Sequence, residues 1–146
     1  MDELVQWLRE QLDEDERVAR EASGWLKPAA HWSLDEWSGR EQPHSLIAQG
    51  SPKLPVVGGR FTADPIPTVQ AEHIARHDPA RVLREIDAKR RVVQAYEDAV
   101  TAFNDSGPAF TSHDRLTGSV SSLRGAVELL ALPYADRPGY LEDWRS

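Results

Sequence analysis

The sequence predicts an α+β fold in which three long helices pack as a bundle and a small antiparallel sheet lies within residues 27–70. Two observations lead to this fold class. Apolar residues recur at helical spacing in the first 22 residues and again from residue 68 onward. Between these segments, short apolar runs alternate with Pro and Gly, which exclude long helices. The 146 residues match the size of one domain, so we predict a single domain, residues 1–146.

The first long helix is expected over residues 2–22. Leu4, Leu8 and Leu12 are spaced four residues apart, which places them on one face. Asp2 is a suitable N-cap, because its carboxylate can accept a hydrogen bond from a free backbone N–H of the first turn.

The predicted sheet consists of three short runs bounded by turn-forming residues. Pro55 lies in the third run, and because proline has no backbone N–H to donate, we expect that strand at an edge. Three tryptophans are expected to pack the sheet against the helices. The runs are residues 30–34, 45–48 and 54–57, and the tryptophans are Trp25, Trp32 and Trp37.

A short helix is expected from residue 68 or 70 to residue 77, followed by the longest helix, residues 79–103. Asp78 and Pro79 predict its start, since Asp is a preferred N-cap and Pro is favoured at the first helical position. Lys89 interrupts an otherwise apolar face. That face comprises Val82, Ile86, Val93, Tyr96, Val100 and Phe103.

The third long helix is expected from about Asp114 to Leu132, because Pro133 stops it. Leu141 and Trp144 indicate that the turn-rich tail docks on the domain. The apolar face of the helix comprises Leu116, Val120, Leu123, Val127 and Leu130.

Composition restricts the function classes. The chain has no cysteine, which excludes disulfides, thiolate zinc sites and cysteine nucleophiles. Its net charge of −7 argues against a nucleic-acid binder. There is no apolar run of the kind found in signal peptides or membrane spans, so we expect a cytoplasmic protein with no membrane contact.

Charge is unevenly distributed along the chain. Residues 2–22 carry a net charge of −5, whereas residues 76–91 carry +3. We interpret this as two helices that lie close together and complement each other's charge. The alternative is a basic face reserved for an acidic partner.

His73 and His77 are four residues apart, the spacing at which two helical histidines share a face and can bind zinc. Ile74 stands where the general base of a zinc protease motif would be, so the pattern predicts no hydrolase. In the alternative interpretation, one imidazole packs at the helix junction and the other faces solvent. A third metal ligand would come from His31, His44 or His113.

Three arginines form a second candidate site. Arg76, Arg81 and Arg84 lie near the expected start of the long helix, where they and the helix dipole could hold an anion or an acidic partner. The alternative is that these side chains pair with Glu85, Asp87 and the acidic first helix.

Two stretches resemble the signatures of a known family. His73 to Glu85 (HIARHDPARVLRE) and Leu130 to Asp136 (LALPYAD) are similar to sequences in a family of small uncharacterised proteins from Streptomyces, related actinobacteria and their phages. That family is catalogued as a domain of unknown function. The resemblance implies no activity and carries no catalytic residue to any position.

We therefore predict a non-enzymatic cytoplasmic accessory protein that acts by protein–protein interaction, with another protein or with itself. The alternative is a metal- or phosphate-binding enzyme that uses the His73/His77 region, with a divalent metal as the one candidate cofactor. A second alternative is nucleic-acid binding through the basic face of helix 79–103.

Overall fold

The computed structural model describes residues 2–23, 31–35, 45–48, 54–57, 68–106 and 110–145. These segments are mostly helical. They form α1 (Glu3–Ala22), β1 (Trp32–Asp35), β2 (Ser45–Ala48), β3 (Leu54–Val57), α2 (Thr68–Arg76), α3 (Pro79–Asp105) and α4 (Phe110–Ala131). Two 3₁₀ turns follow, Leu132–Tyr134 and Glu142–Trp144.

The long helices lie where the sequence predicts them, except that α4 begins earlier than expected. Asp2 caps α1, since its Oδ1 accepts a hydrogen bond from the Leu4 N–H at 3.0 Å. The predicted start of α4 at Asp114 is wrong, because the helix begins at Phe110, about one turn earlier. The ring of His113, in this extra turn, stacks on Phe103 of α3 with the ring centroids 4.6 Å apart. This aromatic contact links the first turn of α4 to α3.

The three strands form a small antiparallel sheet in the order β1-β2-β3. Trp32 lies opposite Ala48, and Pro55 lies opposite Ile47 beside an irregularity in the register. Among the described strands β3 pairs with β2 alone, so Pro55 is on an edge strand of this sheet as predicted. β1 begins two residues later than the predicted run. Trp32 is half-buried, whereas Trp25 and Trp37 lie outside the described residues.

The contacts divide the chain into two compact units. Unit 1 comprises Met1–Glu14 and Ile86–Ser146, and unit 2 comprises Asp15–Glu85. The prediction of a single domain stays a prediction. In unit 2, α2 packs against β1 and β2. No helix in the described segments is both long enough and apolar enough to cross a membrane.

Unit 1 has a core formed by one face each of α1, α3 and α4. The predicted charge complementarity of α1 and α3 is confirmed in this unit, where Arg90 lies 2.5 Å from Asp13 and Arg9 pairs with Glu97. The largest fully buried side chains are Leu4, Val5, Leu8, Leu12, Val93 and Val127. Their burial supplies the main stabilisation of the unit.

The tail docks on Trp7, one turn after the start of α1. The indole N–H of Trp7 donates to the Pro138 carbonyl oxygen at 3.0 Å. Its ring lies 5.3 Å from Trp144 and 5.6 Å from Tyr140, between centroids. Trp144 is buried, so the predicted docking of the tail is confirmed for this residue, whereas Leu141 remains 42% exposed.

Gly139 allows the tail to approach Trp7 closely. Its φ is +87°, in the left-handed region that favours glycine, and a Cβ at this position would lie 2.9 Å from Trp7 Nε1. The turn that brings Tyr140 to the indole therefore depends on a residue without a side chain.

Candidate functional site

The predicted site residues of unit 2 surround the junction between α2 and α3. Asp78 lies at its centre and is 8% exposed. Its Oδ1 accepts a hydrogen bond from the Arg81 N–H at 2.7 Å, so Asp78 is the N-cap of α3 and Pro79 the first helical residue, as predicted.

The second carboxylate oxygen of Asp78 reaches the sheet. Its Oδ2 lies 3.2 Å from His31 Nδ1 and 3.4 Å from the Trp32 backbone nitrogen, both of which can donate to it. Asp78 thus joins the start of β1 to the start of α3. A buried carboxylate with three donors around it holds the fold together at this point.

His73 and His77 lie side by side and are exposed. Their ring centroids are 4.4 Å apart, and His77 Nδ1 lies 2.8 Å from the His73 carbonyl oxygen. Among the residues described by the structure, no group of three or more His, Asp or Glu could hold a metal. His31 faces Asp78, His113 stacks on Phe103, and His44 is outside the described residues. Metal binding by the pair stays a prediction.

The candidate anion site is partly occupied by protein groups. Arg81 Nε donates to Glu85 Oε1 at 2.7 Å, and its Nη1 donates to the Arg76 carbonyl oxygen at 3.1 Å. The Asp78 carboxylate already caps the helix N-terminus, so an added anion would meet a like charge. Arg84 has no ion-pair partner within the described segments. Anion or partner binding by Arg76, Arg81 and Arg84 stays a prediction.

Most arginines on the basic face of α3 form ion pairs with carboxylates of the same unit. Three of its arginines make carboxylate ion pairs: Arg81 with Glu85 at 2.7 Å, Arg90 with Asp13 at 2.5 Å and Arg91 with Asp87 at 2.7 Å. Nucleic-acid phosphates would have to compete with these partners, which reduces the electrostatic gain from binding.

A cluster of polar side chains in unit 1 joins all three long helices, and we call it the Arg124 cluster (Asp2, Tyr96, Arg124 and Glu128). The Tyr96 hydroxyl donates to Asp2 Oδ2 at 2.8 Å, and Arg124 Nη1 donates to the same oxygen. Arg124 Nε donates to Glu128 Oε1 at 2.8 Å. One guanidinium therefore binds two carboxylates, one just before α1 and one on α4, and leaves one negative charge in excess.

The cluster shifts the pKa of its members. Burial alone would raise the pKa of Asp2, but hydrogen bonds from Tyr96 and Arg124 and the positive charge of Arg124 hold it below its ordinary value. Burial, together with the Asp2 carboxylate, raises the pKa of Tyr96 despite the opposing effect of Arg124. The pKa of Arg124 is lowered by burial but raised more by Glu128, Tyr96 and Asp2, so the side chain stays charged.

A groove between α3 and α4 opens beside the Arg124 cluster. It has a volume of about 380 Å³ and is open to solvent on one side. Its lining is mostly apolar and comprises Tyr96, Phe103, Thr117, Val120, Ser121 and Arg124.

Residues 1–146 match the profile of DUF6221, a family of unknown function. The chain belongs to this family. Comparison with curated proteins and with solved structures gave no significant match. The resemblance inferred from the sequence is therefore confirmed as membership of a family of unknown function, while the signatures and the organisms remain predictions. DUF6221 membership assigns no chemistry to any residue.

The Arg124 cluster of this DUF6221 chain cannot be identified from the sequence. One feature of the sequence nevertheless indicates that Arg124 needs a partner. Arg124 lies four residues after Val120 and three before Val127, so it falls on the apolar face of α4. A charged residue on such a face requires a charged partner, but the sequence does not indicate that Asp2, 122 positions away, provides it.

The Arg124 cluster predicts how the stability of this DUF6221 chain depends on pH. Because the Asp2 pKa is lowered by folding, its contribution is complete above the ordinary value of 3.8 and is lost as pH falls through the folded value. Because the Tyr96 pKa is raised, its contribution is complete below 10.0 and is lost as pH rises through the folded value. We therefore expect Asp2→Asn to reduce the loss of stability in acid and Tyr96→Phe to reduce it in alkali.

Urea unfolding across the pH range measures both effects. Each variant is compared with wild type in the pH range where its own residue titrates, which is acid for Asp2→Asn, where Tyr96 stays protonated, and alkali for Tyr96→Phe, where Asp2 stays ionised. An acid limb with the same slope in Asp2→Asn as in wild type would show that Asp2 is not coupled to folding.

Proposed function

We propose that this chain is a non-enzymatic cytoplasmic accessory protein that acts by protein–protein interaction, and that the hairpin of α3 and α4 pairs with the hairpin of a second copy. The observation that carries the proposal is a change in burial along the hairpin. In unit 1, the last buried residue of α3 is Tyr96 and the first buried residue of α4 is Val127. No described side chain between them is buried.

The reason for this change is the position of α1. Asp2, immediately before α1, contacts Tyr96 and Arg124, so α1 covers the hairpin only up to that level. Beyond it, the described part of unit 1 provides two helices without a third to cover them. Helical hairpins of this kind complete their core by adding helices, as in a four-helix bundle.

The uncovered stretch has the apolar face that such a bundle needs. Five large apolar side chains remain only half-buried, although helical spacing places them along the hairpin: Val100, Phe103, Leu116, Val120 and Leu123. Burial of the part of each residue that is still exposed would stabilise the complex by at most about 1 kcal/mol per residue, because most of its surface is already covered.

Charge favours a second copy as the occupant. The chain carries −7, so a partner attracted by charge would be basic and would bind an acidic face. The groove is instead lined by one charged residue, Arg124, whose charge is already paired with Asp2 and Glu128. An apolar groove with no unpaired charge in its lining fits an apolar partner, and the same hairpin on another copy is one. Two identical faces can pair around a two-fold axis.

The test is the mass in solution of the full chain. We expect wild type to change with concentration from 16.4 kDa to about twice that mass. Val120→Glu places a charge in the groove and is expected to leave a monomer. Ser122→Glu adds the same charge two residues later, about 160° around α4 at an exposed position, and is expected to dimerise like wild type.

Circular dichroism and thermal unfolding of both variants establish that they are folded. A wild-type chain that remains monomeric at every soluble concentration would overturn the proposal. So would dimerisation of folded Val120→Glu with wild-type affinity, because the interface would then lie elsewhere.

A further inference from the structure

His73 in α2 and His77 in the turn after it form an exposed pair that the proposed interaction does not use. We propose that these two imidazoles bind one divalent transition-metal ion, of the group Cu²⁺, Ni²⁺ and Zn²⁺. This is a surface site with two protein ligands, in which water completes the coordination. It lies in unit 2 and is independent of the α3–α4 groove.

The distance between the rings fits a shared ion. Imidazole nitrogen binds these metals at about 2.0–2.1 Å, so two imidazoles on one tetrahedral ion have ring centroids about 5 Å apart. The observed distance is 4.4 Å, with the ring planes inclined by 36°. Both side chains are exposed, so a small rotation can bring a nitrogen of each ring to the same point.

The hydrogen bond of His77 leaves one ring nitrogen ready to bind. His77 Nδ1 lies 2.8 Å from the His73 carbonyl oxygen. A carbonyl oxygen only accepts hydrogen bonds, so we assign the proton to Nδ1, which leaves a lone pair on Nε2. Metal-binding histidines are commonly held in this way, with the second nitrogen donating to a backbone carbonyl. The hydrogen bond also orients the ring before the ion arrives.

The neighbouring charges allow a cation. Glu72 and Arg76 flank His73 on α2, and their opposite charges largely cancel at the site. Neither needs to move for the imidazoles to bind. With two nitrogen ligands, affinity is expected to follow the general order for such sites, with Cu²⁺ tighter than Ni²⁺ or Zn²⁺.

A variant that exchanges two neighbouring residues tests the geometry. Glu72→His/His73→Glu keeps the composition, the net charge and the number of histidines. It places the two histidines five positions apart, about 140° around a helix, where they cannot reach one ion. In calorimetric titration with CuCl₂ and with ZnCl₂, we expect wild type to bind one equivalent at least tenfold more tightly than this variant.

Histidines elsewhere in the chain contribute the same background to both proteins, because neither exchange alters them. Thermal unfolding without metal establishes that the variant is folded. Equal affinity of wild type and the exchange variant for Cu²⁺ would overturn the proposal, as would absence of binding by wild type. The mass of the metal-free chain is measured on the same samples, so failure here leaves the proposed self-association separately tested.

Discussion

Trp7→Ala is expected to lower the free energy of unfolding by about 3–5 kcal/mol, the usual cost of removing a buried large aromatic side chain. The indole of Trp7 is 8% exposed. It contacts Trp144 and Tyr140 and donates a hydrogen bond to the Pro138 carbonyl oxygen. Alanine would leave a cavity in this cluster and remove the surface on which the tail docks.

Urea unfolding followed by circular dichroism measures the loss. Tyr140→Phe is the matched control in the same cluster. The Tyr140 hydroxyl is buried and has no hydrogen-bond partner within the described residues, so its removal is expected to change stability by less than about 0.5 kcal/mol. A loss below about 1 kcal/mol for Trp7→Ala would contradict the structural role assigned to the tail.

Arg124→Ala is expected to destabilise the chain by about 2–3 kcal/mol, because it leaves two partly buried carboxylates without their positive partner. The side chains of Arg124, Asp2 and Glu128 are 32%, 25% and 16% exposed. Water therefore screens the loss only in part. The Tyr96 hydroxyl and the Leu4 N–H would remain as hydrogen-bond donors to Asp2, but neither carries a positive charge.

Arg115→Ala provides the control, since Arg115 is an exposed arginine on the same helix and is expected to change stability by less than about 0.5 kcal/mol. A double-mutant cycle with Asp2→Asn measures the interaction directly. We expect the two substitutions to cost less together than the sum of their separate effects. Strict additivity would mean that Arg124 stabilises the protein through contacts other than Asp2.

The helices could be predicted from the sequence because their signals are local. The start of α3 follows from two adjacent residues, Asp78 and Pro79, and the structure places both as expected. The edge position of Pro55 follows from its missing N–H in the same way. Each conclusion needs only the chemistry of a few neighbouring residues.

Two polar contacts of unit 1 could not be predicted, because their partners are far apart in the chain and lie on faces that the sequence marks as apolar. Lys89 interrupts the apolar face of α3, and its Nζ bonds the Tyr134 hydroxyl at 2.9 Å. Arg124 finds Asp2 across 122 positions. In both cases the sequence shows a charge on an apolar face but not the group that compensates it. The packing of the helices decides which group compensates the charge.

The same limit applies to the uncovered part of the hairpin. Sequence periodicity assigns Val100 and Val120 to apolar faces, and it assigns Ile86 and Val127 in the same way. Whether such a face is covered depends on where α1 begins relative to α3. That position is known only once the contacts of Asp2 are known.

The division into units has a consequence for synthesis on the ribosome. Unit 2 is one continuous segment, so its residues are synthesised without interruption. Unit 1 combines residues 1–14 with residues 86–146, so its two segments are synthesised at different times. The hydrogen bond of Trp7 can form only after Pro138, which is 131 positions later, has been synthesised. At bacterial and eukaryotic elongation rates of about 5–20 residues per second, this delay is roughly 7–26 s. During it, the apolar face of α1 is available to chaperones on the nascent chain, and unit 1 can complete its fold only after residues 138–144 have been synthesised.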